Sequence, residues 1–185
     1  MTALATHELH PTAALDRDLD RELSTETLRA AFSHFPSGVA ALAGVAHGVK
    51  EGLVASSFTV GVSLEPALVS VAVQNTSRTW PRLKQAERIG ISILGEGQTS
   101  VCRQLASKEG DRFAGLDVRA TDHGALLLNG AALWLDTTVY AELPAGDHTM
   151  VLLEVHGVHD HSSEHEPIVF HRSAFRNLRT AEGNQ

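Results

Sequence analysis

A chain of 185 residues, with 43% hydrophobic and 20% charged side chains, is long enough to bury one sizeable core. A net charge of −7 without any basic cluster excludes a general nucleic-acid binder, whose phosphate contacts need a concentrated positive face. The single cysteine, Cys102, excludes a disulfide-stapled secreted scaffold, and no apolar run reaches the roughly 18 residues that a membrane helix needs.

Residues 1–23 are polar, carry Asp16, Asp18 and Asp20, and lack both the basic and the apolar section of a signal peptide. They read as a mobile arm on a cytoplasmic protein. Ser24 is placed to cap a helix, with Glu26 in its first turn and Leu28, Ala31, Phe32 and Phe35 at helical spacing. Pro36 stops that helix, and Pro36-Ser37-Gly38 makes a turn. Residues 39–46 read as a strand, 47–52 as a hairpin connection, 53–56 and 68–73 as further strands. A short helix over 79–85 tolerates Pro81 in its first turn. Ile89, Ile91 and Ile93 alternate with smaller residues, which marks a strand. Val101, Cys102 and Leu105 give 98–106 a helical stripe in which Cys102 acts as a small buried hydrophobe.

Residues 107–130 read as loop. Two long strands, 132–143 and 148–159, are joined by Pro144-Ala145-Gly146-Asp147, and 168–170 is a last short strand before a frayed tail at 180–185. The globular part is thus one domain over 24–179. Many strands, few helices and Gly- and Pro-rich turns argue for a mainly β, closed antiparallel barrel. There is no βαβ repeat and no G-x-G-x-x-G after a strand, which argues against a Rossmann site.

The most informative stretch is 54–80. A hydroxyl-rich turn with Ser56, Ser57 and Thr59 precedes an apolar strand, and a second polar turn follows with Gln74, Asn75, Thr76, Ser77, Arg78 and Thr79. Two hydrogen-bonding loops at neighbouring strand ends can clasp something flat and anionic. Asn75, Ser77, Arg78 and Thr79 suit a phosphate, through small hydroxyls, backbone N–H groups and one cation; the same residue types also dominate ordinary turns. Trp80 either packs against the ligand or fills core. His156, His159, His161 and His165 form a second constellation, but their spacing fits neither H-E-x-x-H nor a zinc finger, so a solvated loop without metal is preferred.

Six short motifs in order carry a family resemblance: Phe35-Pro36-Ser37-Gly38-Val39; Ala55-Ser56-Ser57-Phe58-Thr59 with Ser63-Leu64-Glu65-Pro66; Ser77-Arg78-Thr79; Arg112-Phe113-Ala114-Gly115; Gly146-Asp147-His148-Thr149; and Pro167-Ile168-Val169-Phe170. Over roughly 28–175 the chain resembles the flavin reductases with an FMN-binding split barrel, the reductase components of two-component flavin-dependent monooxygenases. Ala67 replaces a usual second proline, and Val60-Gly61 replaces a commoner Thr-Ser pair at the flavin rim.

The resemblance implies a six-stranded antiparallel Greek-key split barrel with short flanking helices, working as a homodimer. It implies NAD(P)H-dependent reduction of free FMN or FAD, with the reduced flavin diffusing to a partner monooxygenase. Pro36, Ser37, Gly38, Val54, Ala55, Ser56, Ser57, Phe58, Gln74, Asn75, Ser77, Arg78, Thr79, Phe113 and Phe170 would then line the flavin. His148 would be the catalytic residue, orienting the nicotinamide with Arg112 and Phe113, while Asp147 fixes the turn or orients His148. Phe113 either covers the flavin or anchors its loop. A non-catalytic flavin-binding protein of the same fold is the alternative.

Overall fold

The computed structural model describes residues 23–178, so the expected arm, apart from its last residue Leu23, and the tail at 180–185 lie outside the described residues. Helix α1 (Thr25–Phe32) starts where Ser24 Oγ accepts the Thr27 N–H at 3.1 Å. Strands β1 (Ser37–Gly38), β2 (Ala40–Ala46), β3 (Val49–Ala55), β4 (Thr59–Leu64) and β5 (Ala67–Gln74) follow. Helix α2 (Trp80–Leu83), strand β6 (Ile89–Ile93) and helix α3 (Thr99–Leu105) come next. The described chain ends with β7 (Val118–Ala120), β8 (Leu126–Leu128), β9 (Leu133–Ala145), β10 (His148–Asp160), β11 (Ile168–His171) and β12 (Ala174–Asn177).

Seven strands make the main antiparallel sheet, in the order β3-β2-β6-β9-β10-β5-β4, where six were expected. The additional strand is β4, whose hydroxyls and Gly61 read as turn chemistry. It is a strand broken by a bulge: pairing with β5 shifts between Thr59 and Ser63, and Gly61 takes φ 69° there. That left-handed conformation suits glycine, so the Val60-Gly61 departure has a local backbone reason.

Four further details differ from expectation. The β2–β3 turn is only His47-Gly48, with Glu51 and Gly52 already in the strand. Pro144 and Ala145 belong to β9, leaving Gly146-Asp147 as the turn. The 107–130 segment carries the small β7–β8 hairpin, and Ala174–Asn177 adds a strand after a turn at Arg172-Ser173.

Strand β2 explains the core. Its sequence Ala-Ala-Leu-Ala-Gly-Val-Ala is apolar on both faces because both are covered. Ala40 and Leu42 face Val69, Val71, Ile89, Ile91, Leu135, Val151 and Leu153 inside the barrel. Ala41 and Ala43 face Cys102, Leu105, Phe113, Leu126, Leu128 and Ile168 outside it. Each fully buried leucine or isoleucine contributes roughly 1.5–3 kcal/mol by leaving water. The expected small buried Cys102 sits in this outer layer, and burial pushes its thiol pKa up.

The stripe on α1 differs: none of that helix is buried, with Phe32 69% and Phe35 76% exposed. Among the described residues, no helix is long and apolar enough to cross a membrane.

Candidate functional site

Strands β5 and β10 pair from Leu68↔Glu154 to Gln74↔His148, which sets the turn after β5 beside the turn before β10. Asn75 joins the two. Its N–H donates to Asp147 O at 3.0 Å, its Nδ2 to Gly146 O at 3.2 Å, and its Oδ1 accepts the Thr149 hydroxyl at 2.9 Å. Asp147 Oδ1 bonds His148 Nδ1 at 2.7 Å. This hydrogen bond, then the charge of the imidazole, lowers the Asp147 carboxyl below its ordinary value. Since Nδ1 is engaged, Nε2 is the ring nitrogen left for a ligand.

The 75–79 turn has the donors of an anion site. Ser77 N–H closes onto Gln74 O at 2.9 Å, and Ser77 Oγ accepts the Trp80 N–H at 3.2 Å. Among the described residues, the N–H groups of Thr76, Arg78 and Thr79 have no backbone acceptor, and Arg78 is exposed without a carboxylate partner. Amides open to a ligand beside an exposed guanidinium fit a phosphate. Ser57 Oγ donates to Ala72 O at 2.9 Å, which ties the 56–58 connection to β5 two residues before Gln74. Ser56 beside it is exposed, and Phe58 is half-buried against the barrel core.

The remaining flavin candidates lie at the end of edge strand β3 and on strands β1 and β11. Ala55 pairs with Ala40 and Val54 with Ala41, just after Pro36-Ser37-Gly38. Ser37 pairs with Phe170, whose ring stands edge-on to Phe175 at 5.3 Å and packs partly into the outer core.

Arg112 and Phe113, the residues expected at the nicotinamide with His148, already have partners within the protein. Arg112 is spent on Gly52 O at 2.8 Å, Thr79 Oγ1 at 3.0 Å and Glu51 Oε2 at 3.2 Å. Phe113 is buried in the outer core, because an aromatic ring on this loop gains more from packing over Gly52 than from solvent.

The histidine run is also more than a solvated loop. His161 stands edge-on to Trp134 at 4.4 Å and lies 4.2 Å from His159, while His156 Nε2 pairs with Thr138 Oγ1 at 2.8 Å. Among the described residues, no three His, Cys, Asp or Glu side chains are arranged to hold a metal.

Trp80 fills core, and its indole N–H donates to Glu142 Oε1 at 2.7 Å while Lys84 Nζ donates to Oε2 at 2.8 Å. Lys84 first, and then Trp80, hold the Glu142 carboxyl below its ordinary 4.5. A depressed carboxylate stabilises the fold fully above its unfolded pKa and ceases to do so as pH falls through the folded one. Urea midpoints should therefore separate wild type from Glu142→Gln more above this acid window than below it. A gap independent of pH would show that Glu142 contributes nothing through its charge.

Glu51 and Arg82 escaped sequence reasoning. The signal was available: in β3, Glu51 shares the inward face with Leu53 and Ala55, where a carboxylate requires partners.

With this geometry, residues 32–179 match the model of the flavin reductase like domain. The chain belongs to the flavin reductase family. It is 31% identical to a flavin reductase of Pseudomonas putida over 154 residues, covering 83% of this chain and 89% of the relative. It is 28% identical to the flavin-dependent monooxygenase reductase subunit HsaB of Mycobacterium tuberculosis, covering 86% of both chains. Among solved structures, the Streptomyces globisporus NADH:FAD oxidoreductase SgcE6, in complex with NAD and FAD fragments, superposes with a TM-score of 0.79 at 30% identity, covering 85% of this chain and 94% of that one. The split-barrel fold of this family is the architecture described above, with the seventh strand at the edge of the sheet.

Proposed function

We propose that this chain is a cytoplasmic oxidoreductase that passes hydride from NADH to free FMN or FAD and supplies reduced flavin to a partner flavin-dependent monooxygenase. The observation that carries the reading is the Asn75 bridge. It fastens a turn with open amides and, among the described residues, an Arg78 without a carboxylate partner to the turn that carries His148, so the candidate anion clamp and the oriented imidazole sit on adjoining turns. Flavin and dihydronicotinamide supply the redox chemistry when bound, and the protein supplies position and electrostatics. Asn75, Ser77, Arg78 and Thr79 hold the flavin phosphate. Ser56, Ser57 and the backbone of 54–58 border its ring, with Pro36–Gly38, Gln74 and Phe170 beside them. His148 orients the nicotinamide through Nε2.

The test is steady-state oxidation of NADH and NADPH followed by absorbance, with FMN, FAD or riboflavin added in turn. Saturable turnover with a flavin is the expected result and fixes both specificities. Tight flavin binding without turnover would make the chain a non-catalytic flavin-binding protein instead.

The working unit is a homodimer. Phe32 and Phe35 on and after α1, Val60, Val62 and Leu64 on β4, and Tyr140 and Leu143 on β9 leave large apolar side chains uncovered, Leu64 at 89% exposure. Light scattering should give twice the 19.8 kDa chain mass; a monomer at working concentration would end this part of the proposal.

A further inference from the structure

We infer that Glu51 is a positioning residue for the flavin phosphate: through Arg112 and Arg82 it fixes the 75–79 turn to strand β3. The inference rests on reading that turn as the phosphate clamp. The Glu51 side chain is 8% exposed. A carboxylate so placed is costly unless cations and hydrogen bonds surround it, and here two guanidiniums do. Arg82 donates from Nε to Oε1 and from Nη2 to Oε2, the latter at 3.1 Å. Arg112 Nη2 donates to Oε2 at 3.2 Å.

Both arginines lead to Thr79. Arg112 Nη1 donates to Thr79 Oγ1 at 3.0 Å, and the Arg82 backbone N–H donates to Thr79 O at 3.0 Å. A closed ring therefore runs from Glu51 through Arg82 and the first turn of α2 to Thr79, and back through Arg112. The loop is held at the same place. Arg112 Nη1 also bonds Gly52 O, and a Cβ on Gly52 would meet Phe113 Cζ at 2.8 Å, so Arg112-Phe113 grips Glu51-Gly52 residue against residue. The Thr79 end of the phosphate turn is thus ordered before flavin arrives, and binding does not bear the cost of ordering it.

FMN and riboflavin differ by the phosphate alone, so fluorescence-quenching titrations with both separate this role from a general one. Wild type is expected to hold FMN at least about tenfold more tightly than riboflavin. Equal affinities would overturn the phosphate-clamp reading itself, and with it this inference.

Given that preference, Glu51→Asp keeps the charge but shortens its reach, and Arg82→Lys keeps the charge but loses the fork. Each is expected to raise the FMN Kd about fivefold and the riboflavin Kd by less than about twofold. An equal rise for both flavins would mean that Glu51 merely supports the fold, and no rise for FMN would mean that the turn holds its shape without it; either overturns the inference while leaving the clamp standing. Arg82 is 53% exposed, so Arg82→Lys decides by the same ratio should Glu51→Asp fail to fold.

Discussion

His148→Ala should raise the KM for the nicotinamide substrate about tenfold and change the flavin Kd by less than about twofold, the loss of roughly one ligand hydrogen bond. The reason is positional. Asp147 takes Nδ1 at 2.7 Å and Asn75 fixes the turn from the other side, so the imidazole is held in place while Nε2 stays available. The flavin groups proposed on the 75–79 turn and the 56–58 connection do not depend on the imidazole for their own hydrogen bonds. Steady-state KM values and flavin quenching titrations check both halves. A collapse of flavin affinity with the nicotinamide KM unchanged would reverse the assignment and make His148 a flavin ligand.

Gly90→Ala should be the most damaging small substitution in the barrel, lowering stability by about 3 kcal/mol, at the upper end for overpacking. Gly90 lies on β6 between buried Ile89 and Ile91, with β2 and β9 on either side. Across it passes β8. A Cβ at Gly90 would meet Leu126 C at 2.8 Å and Leu127 Cδ2 at 2.9 Å, and Leu126 O closer still. Backbone carbonyl cannot swing aside as a flexible side chain can, so the sheet or β8 must move. Against a total stability of about 5–15 kcal/mol for a domain, such a loss is large. Gly157→Ala is the control, since its Cβ would find only Asp136 Cβ at an ordinary 3.5 Å. Similar urea midpoints for the two variants would refute the close-approach argument.

Much of the candidate site is legible in the sequence because its parts are local. Ser24 caps its helix, the polar turn after β5 carries the donors proposed for the phosphate, and Gly146-Asp147-His148 announces a tight hairpin. Each of these depends on residues within a few positions of one another, which is the range over which side-chain type constrains backbone shape. Thr59–Leu64 is not legible as a strand because its signals conflict: hydroxyls and a glycine denote a turn in isolation, but pairing with β5 makes them a bulged strand. The exposed stripe of α1 misleads for a related reason. Helical spacing of Leu28, Ala31 and Phe32 shows that a face is apolar, not what covers it.

Arg112 and Phe113 show the limit most clearly. By resemblance their motif implies a loop near a flavin, but it does not show which groups of the protein engage it. What turned them inward is a glycine and a carboxylate sixty or so positions earlier, Gly52 with no Cβ to block the ring and Glu51 with a buried charge to neutralise. Sequence by itself determined a mainly β fold, its turns and the residue types at their tips, because hydrophobic period and turn preference act along the chain. Tertiary structure alone decided which tips meet and which charged groups are already spent on one another, because burial and charge pairing act across space between residues that the sequence keeps far apart.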